Sequence, residues 1–110
     1  NPYTFSKKVA DDLCLLYKKH FNIDTKICRF YNVYGPHQLT EGDYCTVVGI
    51  FENQYKNNKP LTVVKPGNQS RRFTHINDTI DACFYAWKKN RCAHYSISHR
   101  KSYSIINLFF

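Results

Sequence analysis

The chain has 110 residues, enough for one domain with a modest core, and its 43% hydrophobic and 16% aromatic content excludes a disordered segment. No apolar run is long enough to span a bilayer and the first residues lack a signal-peptide pattern, so we expect a cytoplasmic protein without a membrane partner. The net charge of +8 comes from scattered basic residues, many near predicted helix ends, which argues against a nucleic-acid-binding surface.

The first predicted element is a helix that reaches about residue 20. Asn1 and Pro2 suit its N-cap and first helical position. Apolar side chains then recur at helical spacing, at Phe5, Val9, Leu13 and Leu16. A short strand is predicted over residues 25–30, and the Gly-Pro pair that follows indicates a turn at residues 32–36.

The second half continues the alternation of helices and strands. We expect a helix over residues 44–57, a strand over 61–64 and a shorter strand over 72–75. Asn77 or Asp78 is predicted to cap a third helix that ends near residue 89, with a buried face formed by Ile80, Phe84 and Trp87. Residues 94–98 alternate like a strand, and Ser102 is expected to cap a final helix. This order predicts an α/β fold with half of its sheet absent.

The five cysteines form no Cys-x-x-Cys pair and fit reduced thiols better than a disulfide framework or a zinc site. We expect no metal site, because His75 and Asp78 have no third ligand at suitable spacing. His75 is expected to make a buried hydrogen bond instead, and Tyr95 either to pack or to line a pocket.

Tyr3 and Lys7 form the first candidate catalytic pair. They are four residues apart on the first predicted helix, so their side chains share one face. Tyrosine, with an ordinary pKa near ~10, is a poor base at neutral pH, and a neighbouring ammonium stabilises the phenolate. The pair could therefore transfer a proton from a hydroxyl, although this spacing also occurs on solvated helix faces.

Two later motifs favour the catalytic interpretation. After Pro-Tyr-x-x-Ser-Lys at residues 2–7 come Arg-x-x-Asn-Val-Tyr-Gly-Pro at 29–36 and Gly-x-x-x-Arg-Arg-Phe-x-His-Ile-x-Asp at 67–78. Together they resemble the extended short-chain dehydrogenases/reductases, specifically the NAD-dependent nucleotide-sugar epimerases and dehydratases, from residue 1 to about 109. Residues 41–51 are most similar to UDP-glucose and UDP-N-acetylglucosamine 4-epimerases.

The resemblance implies roles for three residues near NAD. Tyr3 would accept the proton of a sugar hydroxyl while hydride passes to NAD. Lys7 would stabilise the phenolate and bond the nicotinamide ribose, and Tyr31 would lie near the nicotinamide. The alternative for Lys7 is an ordinary solvated lysine.

The resemblance also implies a substrate site. Asn32 would hydrogen-bond the nucleotide-sugar, or else only adopt a left-handed turn conformation. Arg71 would clamp the diphosphate, but Arg72 stands where the family has Asp, which leaves open which arginine faces the ligand. Backbone at Thr62 and Val64 would hold the base, and the resemblance implies that the substrate is a UDP-sugar.

We therefore expect one partial domain over residues 1–110: the C-terminal part of a Rossmann-type extended short-chain dehydrogenase/reductase. The chain lacks the Gly-rich dinucleotide-binding turn with which family members begin. The expected function is part of a 4-epimerase, inactive alone and dimeric in the full enzyme. The alternatives are a nucleotide-sugar 4,6-dehydratase and a non-catalytic remnant or basic binding module.

Overall fold

The computed structural model describes residues 1–109, which fold into helices and short strands in alternation. In chain order these are α1 (Pro2–Phe21), β1 (Ile27–Phe30), β2 (Val33–Tyr34), α2 (Val47–Lys56), β3 (Ser70–Arg71), β4 (Thr74–His75), α3 (Ile76–Lys89), β5 (His94–Ile97), β6 (Tyr103–Ser104) and a 3₁₀ helix (Ile105–Phe109). The predicted α/β class is confirmed.

The strands pair two by two. β1 lies parallel to β5, with Ile27 opposite His94 and Phe30 opposite Ile97. β2 is parallel to β4, and β3 is antiparallel to β6. Parallel pairs join segments far apart in the chain. Residues 31–32 therefore lie between β1 and β2, which pair with β5 and β4.

The predicted first helix is confirmed, and its caps follow the sequence. The Asn1 Oδ1 accepts a hydrogen bond from the Thr4 backbone N–H at 2.9 Å, and Asn22 ends the helix in the left-handed conformation with φ of 52°. α2 begins later than predicted because Thr46 is its N-cap: the Thr46 Oγ1 accepts from the Gly49 N–H at 3.3 Å.

The predicted cap of α3 is wrong. The His75 Nδ1 accepts from the Asn77 N–H at 3.2 Å, so His75 caps the helix and Asp78 lies in the first turn. A buried hydrogen bond was also predicted for His75. The bond to the Asn77 N–H takes its place, and the His75 ring is only half-buried.

The predicted buried face of α3 is also wrong. Ile80, Phe84 and Trp87 are 57%, 57% and 70% exposed, whereas Thr79 and Ala86 are buried. The helix faces β1 and β5 through these smaller side chains, which permit close approach to the strands. The size of the side chains, rather than their hydrophobicity, decides which face of α3 is buried.

Residues 61–64 do not form the predicted strand. In place of a neighbouring strand, the Gln54 side chain binds Thr62 twice: its Nε2 donates to Thr62 Oγ1 at 2.8 Å and its Oε1 accepts from the Thr62 N–H at 3.1 Å. Of the predicted strand over 72–75, only Thr74–His75 forms a strand, β4; β3 lies before it, at Ser70–Arg71.

The other two local predictions need smaller corrections. The turn predicted at residues 32–36 lies slightly later, where the Gln38 N–H donates to the Gly35 carbonyl at 3.3 Å, and Val33–Tyr34 is β2. Ser102 is not a cap: Ser104 Oγ accepts from the Asn107 N–H at 3.3 Å at the start of the 3₁₀ helix. The predicted final helix included Phe110, which lies outside the described residues.

The core is small and excludes α1. The buried hydrophobic residues are Ile27, Phe51, Ala86, Ile97 and Ile105. α1 has no buried residue; it is attached through an Asp11–Arg29 ion pair and a 3.5 Å hydrogen bond from Thr25 Oγ1 to the Cys14 carbonyl. Within residues 1–109, no helix is long and apolar enough to cross a membrane.

Candidate functional site

A pocket of about 410 Å³ lies between the N-terminal end of α2, β2 and the segment that leads into β3. We call it the α2 pocket. Its walls are mainly apolar, from residues such as Val47 and Phe51. Its polar groups are fewer, and they come from Asn32, Thr46, Thr62, Gln69 and Arg71. Apolar walls with a few convergent polar groups are typical of a small-molecule site.

The α2 pocket brings together four of the residues singled out in the sequence: Asn32, Thr62, Val64 and Arg71. Asn32 has φ of 44°, so it adopts the left-handed conformation and also lines the pocket. Its Nδ2 donates to the Arg72 carbonyl at 3.0 Å, and its own carbonyl accepts from the Thr74 N–H at 3.2 Å. These bonds fix the amide at the rim, with the Oδ1 as its accepting end.

The two arginines lie in different surroundings. Arg71, on β3, lines the α2 pocket. Arg72 does not; its Nη1 lies 3.5 Å from Ser98 Oγ, at the end of β5. Successive side chains of an extended segment point to opposite sides, so only one of two adjacent arginines can face the pocket.

The N-terminal end of α2 adds positive potential to the pocket. Thr46, Val47 and Val48 line it, and the first turn of α2 contains no acidic residue. A helix N-terminus carries partial positive charge and unpaired N–H groups, so it favours anions. Gly49 lets the helix approach residue 39, since a Cβ there would lie 2.1 Å from the Leu39 carbonyl oxygen.

Tyr3 and Lys7 share one face of α1, as the spacing predicts. Lys7 Nζ lies 5.3 Å from the centroid of the Tyr3 ring, and Ser6 Oγ donates to the Tyr3 carbonyl at 2.7 Å. Tyr3 is 70% exposed. Its phenol and the Lys7 ammonium are therefore accessible to a ligand, although neither lines the α2 pocket.

Tyr31 is held at the junction of β1 and β2 but also lies outside the α2 pocket. Its N–H donates to the Ile97 carbonyl at 3.3 Å, and its carbonyl accepts from Thr74 Oγ1 at 3.1 Å. The Tyr95 hydroxyl accepts from the N–H groups of Arg91 and Cys92, which fixes the loop before β5.

The perturbed pKa values belong to groups outside the α2 pocket. On α2, hydrogen bonds from Lys56 and Gln38 lower the pKa of Glu52. Burial and the neighbouring Cys28 raise the pKa of the Cys83 thiol, at the contact of α3 with β1. All five cysteines are free thiols, and the described residues contain no cluster suited to a metal ion.

Sequence reasoning missed Gln69 and the α2 residues of the pocket. The signal for Gln69 was present, because it lies two residues before Arg71 in the same segment and so on the same side. The contribution of Thr46 and Phe51 had no local signal, since it depends on how α2 packs.

Residues 1–98 match the model of the NAD dependent epimerase/dehydratase family. The chain belongs to this family. The family that the three motifs predicted is thereby confirmed, together with its NAD dependence.

Two curated relatives show the range of this NAD-dependent family. The chain is 38% identical over 80 residues to a protein described as an uncharacterised UDP-glucose epimerase, YtcB, of Bacillus subtilis (strain 168), covering 73% of this chain and 24% of that protein. It is 35% identical over 82 residues to the dTDP-D-glucose 4,6-dehydratase of Dictyostelium discoideum, covering 74% of this chain and 18% of that enzyme.

Among solved structures, the UDP-glucuronic acid 4-epimerase of Bacillus cereus, in complex with UDP-glucuronic acid and NAD, is similar with a TM-score of 0.79 and 32% identity. The match covers 98% of this chain and 34% of that enzyme. The chain thus has the fold of one part of a Rossmann-type epimerase and spans about a third or less of the length of these relatives.

Proposed function

We propose that the chain is the nucleotide-sugar-binding part, with the catalytic Tyr/Lys helix, of an NAD-dependent UDP-sugar 4-epimerase. The observation that carries this proposal is the α2 pocket. Asn32 from one part of the chain and Thr62 and Arg71 from another, about 30 to 40 residues later, line one cavity, and the family resemblance assigns each of them to the substrate.

The charge distribution of the pocket supports a diphosphate ligand. Arg71 offers a planar guanidinium that binds phosphate oxygens in pairs. The N-terminal end of α2 supplies a second positive potential on the same cavity. In this proposal the diphosphate lies between them, the base contacts the backbone at Thr62 and Val64, and Asn32 binds the substrate through its amide.

The proton-transfer role is assigned to Tyr3. Its phenolate would accept the proton of the sugar C4 hydroxyl, and Lys7 would stabilise that phenolate by its charge. NAD, when bound, supplies the chemistry of accepting and returning a hydride. The exposed Tyr3 phenol and Lys7 ammonium are suited to contact its nicotinamide ribose, and Tyr31 is assigned to the nicotinamide side.

A 4,6-dehydratase is the second candidate, since a relative with that activity is 35% identical to this chain over 82 residues. In this proposal both reactions begin with proton removal by the same tyrosine. The two candidates are therefore distinguished by their products. We further propose a homodimer and, since all five thiols are free, a reducing cytoplasmic environment.

The test is an assay of the longest encoded protein that contains these 110 residues. It is incubated with NAD and UDP-glucose or UDP-N-acetylglucosamine, and the products are separated by chromatography. We expect the C4 epimers. A 4-keto-6-deoxy sugar would support the dehydratase, and no product from a folded protein would contradict both enzymes.

A further inference from the structure

Two of the five free thiols meet where α3 packs against β1. Cys28 lies on β1 and Cys83 on α3, and both are half-buried. Burial, the neighbouring Cys28 thiol and a hydrogen bond between the two side chains raise the pKa of the Cys83 thiol. A hydrogen bond between two thiols brings their sulfur atoms into contact, which is the first geometric condition for a disulfide.

The course of β1 directs Cys28 towards α3. Arg29, the next residue, forms an ion pair with Asp11 of α1. Successive side chains of a strand point to opposite faces of its sheet, so Cys28 points away from α1. The contact with Cys83 places α3 on this opposite face of β1.

Cys83 lies on the face of α3 that the strands cover. Thr79 and Ala86, four residues before it and three after it, are 4% and 1% exposed and share its face of the helix. Their small side chains let the helix lie close to β1 and β5. The contact of the two thiols thus follows from the packing of a helix on a strand, and bond formation requires no rearrangement of a loop.

We propose that Cys28 and Cys83 form a reversible oxidation site, at which hydrogen peroxide converts the two thiols into a disulfide that ties α3 to β1. One thiolate attacks a peroxide oxygen, the O–O bond breaks, hydroxide leaves and a sulfenic acid forms. The second thiolate attacks that sulfur, the S–O bond breaks, a second hydroxide leaves and the S–S bond forms. Each hydroxide takes the proton that a thiol lost, so two thiols and one peroxide give one disulfide and two waters.

The disulfide would close the loop that runs from residue 28 to residue 83. This loop contains Asn32, Thr62 and Arg71 of the α2 pocket. A cross-link restricts the unfolded chain more than the folded one, so the oxidised protein should unfold at a higher urea concentration. Neither cysteine lines the α2 pocket, so the disulfide can form whatever ligand the pocket binds.

The test treats the reduced, longest encoded protein with hydrogen peroxide at pH 8 and then blocks the remaining thiols with N-ethylmaleimide. Trypsin, which cleaves after lysine and arginine, places each of the five cysteines in a separate peptide, so mass spectrometry of the unreduced digest identifies every linked pair. We expect the Cys28–Cys83 pair to be on the order of tenfold more abundant than any other pair of these five cysteines, because contact raises their effective concentration. Dithiothreitol should remove it.

Cys28→Ser keeps the side-chain size and removes the sulfur. This variant should form no such linked peptide, and its urea midpoint should not rise on oxidation. Cys14→Ser, which changes an exposed thiol on α1, is the matched control and should behave like the unmodified protein. Folded protein in which peroxide leaves Cys28 and Cys83 unlinked, or links other cysteines equally, would overturn the inference. A link that leaves the urea midpoint unchanged would overturn its tie between α3 and β1.

Discussion

The α2 pocket and helix α1 differ in how the chain holds them. The pocket is formed by segments that bind one another through the β3–β6 ladder, the Gln54–Thr62 bonds and the buried side chains of Phe51 and Ile105. α1 contains no buried residue. Residues assigned to substrate are therefore positioned by contacts within this chain, whereas Tyr3 and Lys7 stand on a helix that the described residues scarcely cover.

The proposed function thus assigns substrate binding and proton transfer to two regions that the chain holds differently. The geometry of the α2 pocket can be tested by single substitutions, because each residue that lines it has defined neighbours within this chain. The exposed apolar side chains of α1, such as Phe5 at 71%, have no such neighbours within residues 1–109. Four experiments on the longest encoded protein test whether the chain holds the α2 pocket and helix α1 as differently as these contacts indicate.

Tyr3→Phe should have the largest effect. It removes one hydroxyl from an exposed ring, so nucleotide binding and folding should persist, while kcat for UDP-sugars should fall about 10²-fold or more because general base catalysis is lost. Tyr44→Phe is the control, since Tyr44 is 90% exposed and lies outside the α2 pocket. Near-normal turnover by Tyr3→Phe would show that α1 has only a structural role.

Phe51→Ala and Phe5→Ala compare the stability of the two regions with the same chemical change. Phe51 is 8% exposed, so its truncation should lower the free energy of unfolding by about 2–4 kcal/mol. Phe5→Ala should change it by less than ~0.5 kcal/mol if the α1 surface is open to solvent. Denaturant unfolding measures both. An equal loss at Phe5 would show that this face of α1 is covered.

Arg71→Ala should raise KM and the Kd for UDP by about tenfold to a hundredfold with little change in kcat, because a diphosphate clamp acts in the ground state and the transition state alike. Arg72→Ala is the matched neighbour, and its side chain contacts Ser98 instead of the pocket. Titration with UDP distinguishes them. If Arg72→Ala weakened UDP more than Arg71→Ala, the assignment of the clamp would be reversed.

The smallest expected effect concerns thiol reactivity. Cys83 has a pKa raised above 9.0 by burial and by Cys28, whereas Cys14 on α1 is exposed. At pH 8, iodoacetamide should therefore label Cys14 about tenfold faster than Cys83, as read by mass spectrometry. The folded pKa of Cys83 is the higher one, so its contribution to stability is full below the ordinary pKa of a thiol and is lost as the pH rises through the folded pKa. Equal labelling would mean that α3 does not shield Cys83.

The motifs predicted the family and contain two of the pocket residues, Asn32 and Arg71, because they combine residue type with order along the chain. The motifs could not distinguish between adjacent residues with the same chemistry: Arg71 and Arg72 differ only in the side of the segment on which they lie. The face of α3 was predicted wrongly because hydrophobicity favours Trp87, while close packing against strands requires a residue as small as Ala86.

The segment at residues 61–64 shows a second limit of prediction from sequence. Its β-branched sequence favours a strand, but a strand needs a neighbour, and here the partner is one glutamine side chain from a helix. No local pattern distinguishes a backbone that binds a strand from one that binds a single amide.

The two bonds from Gln54 to Thr62 make α2 and the base segment a single mechanical unit. Thr46 and Thr62 both line the α2 pocket, and a swing of α2 would pull Thr62 in the same direction. One side chain, Gln54, thus couples the position of the segment at Thr62 to that of the helix. We therefore expect widening of the α2 pocket around a larger ligand to be opposed at α2, because moving the helix away from residue 62 would strain both bonds.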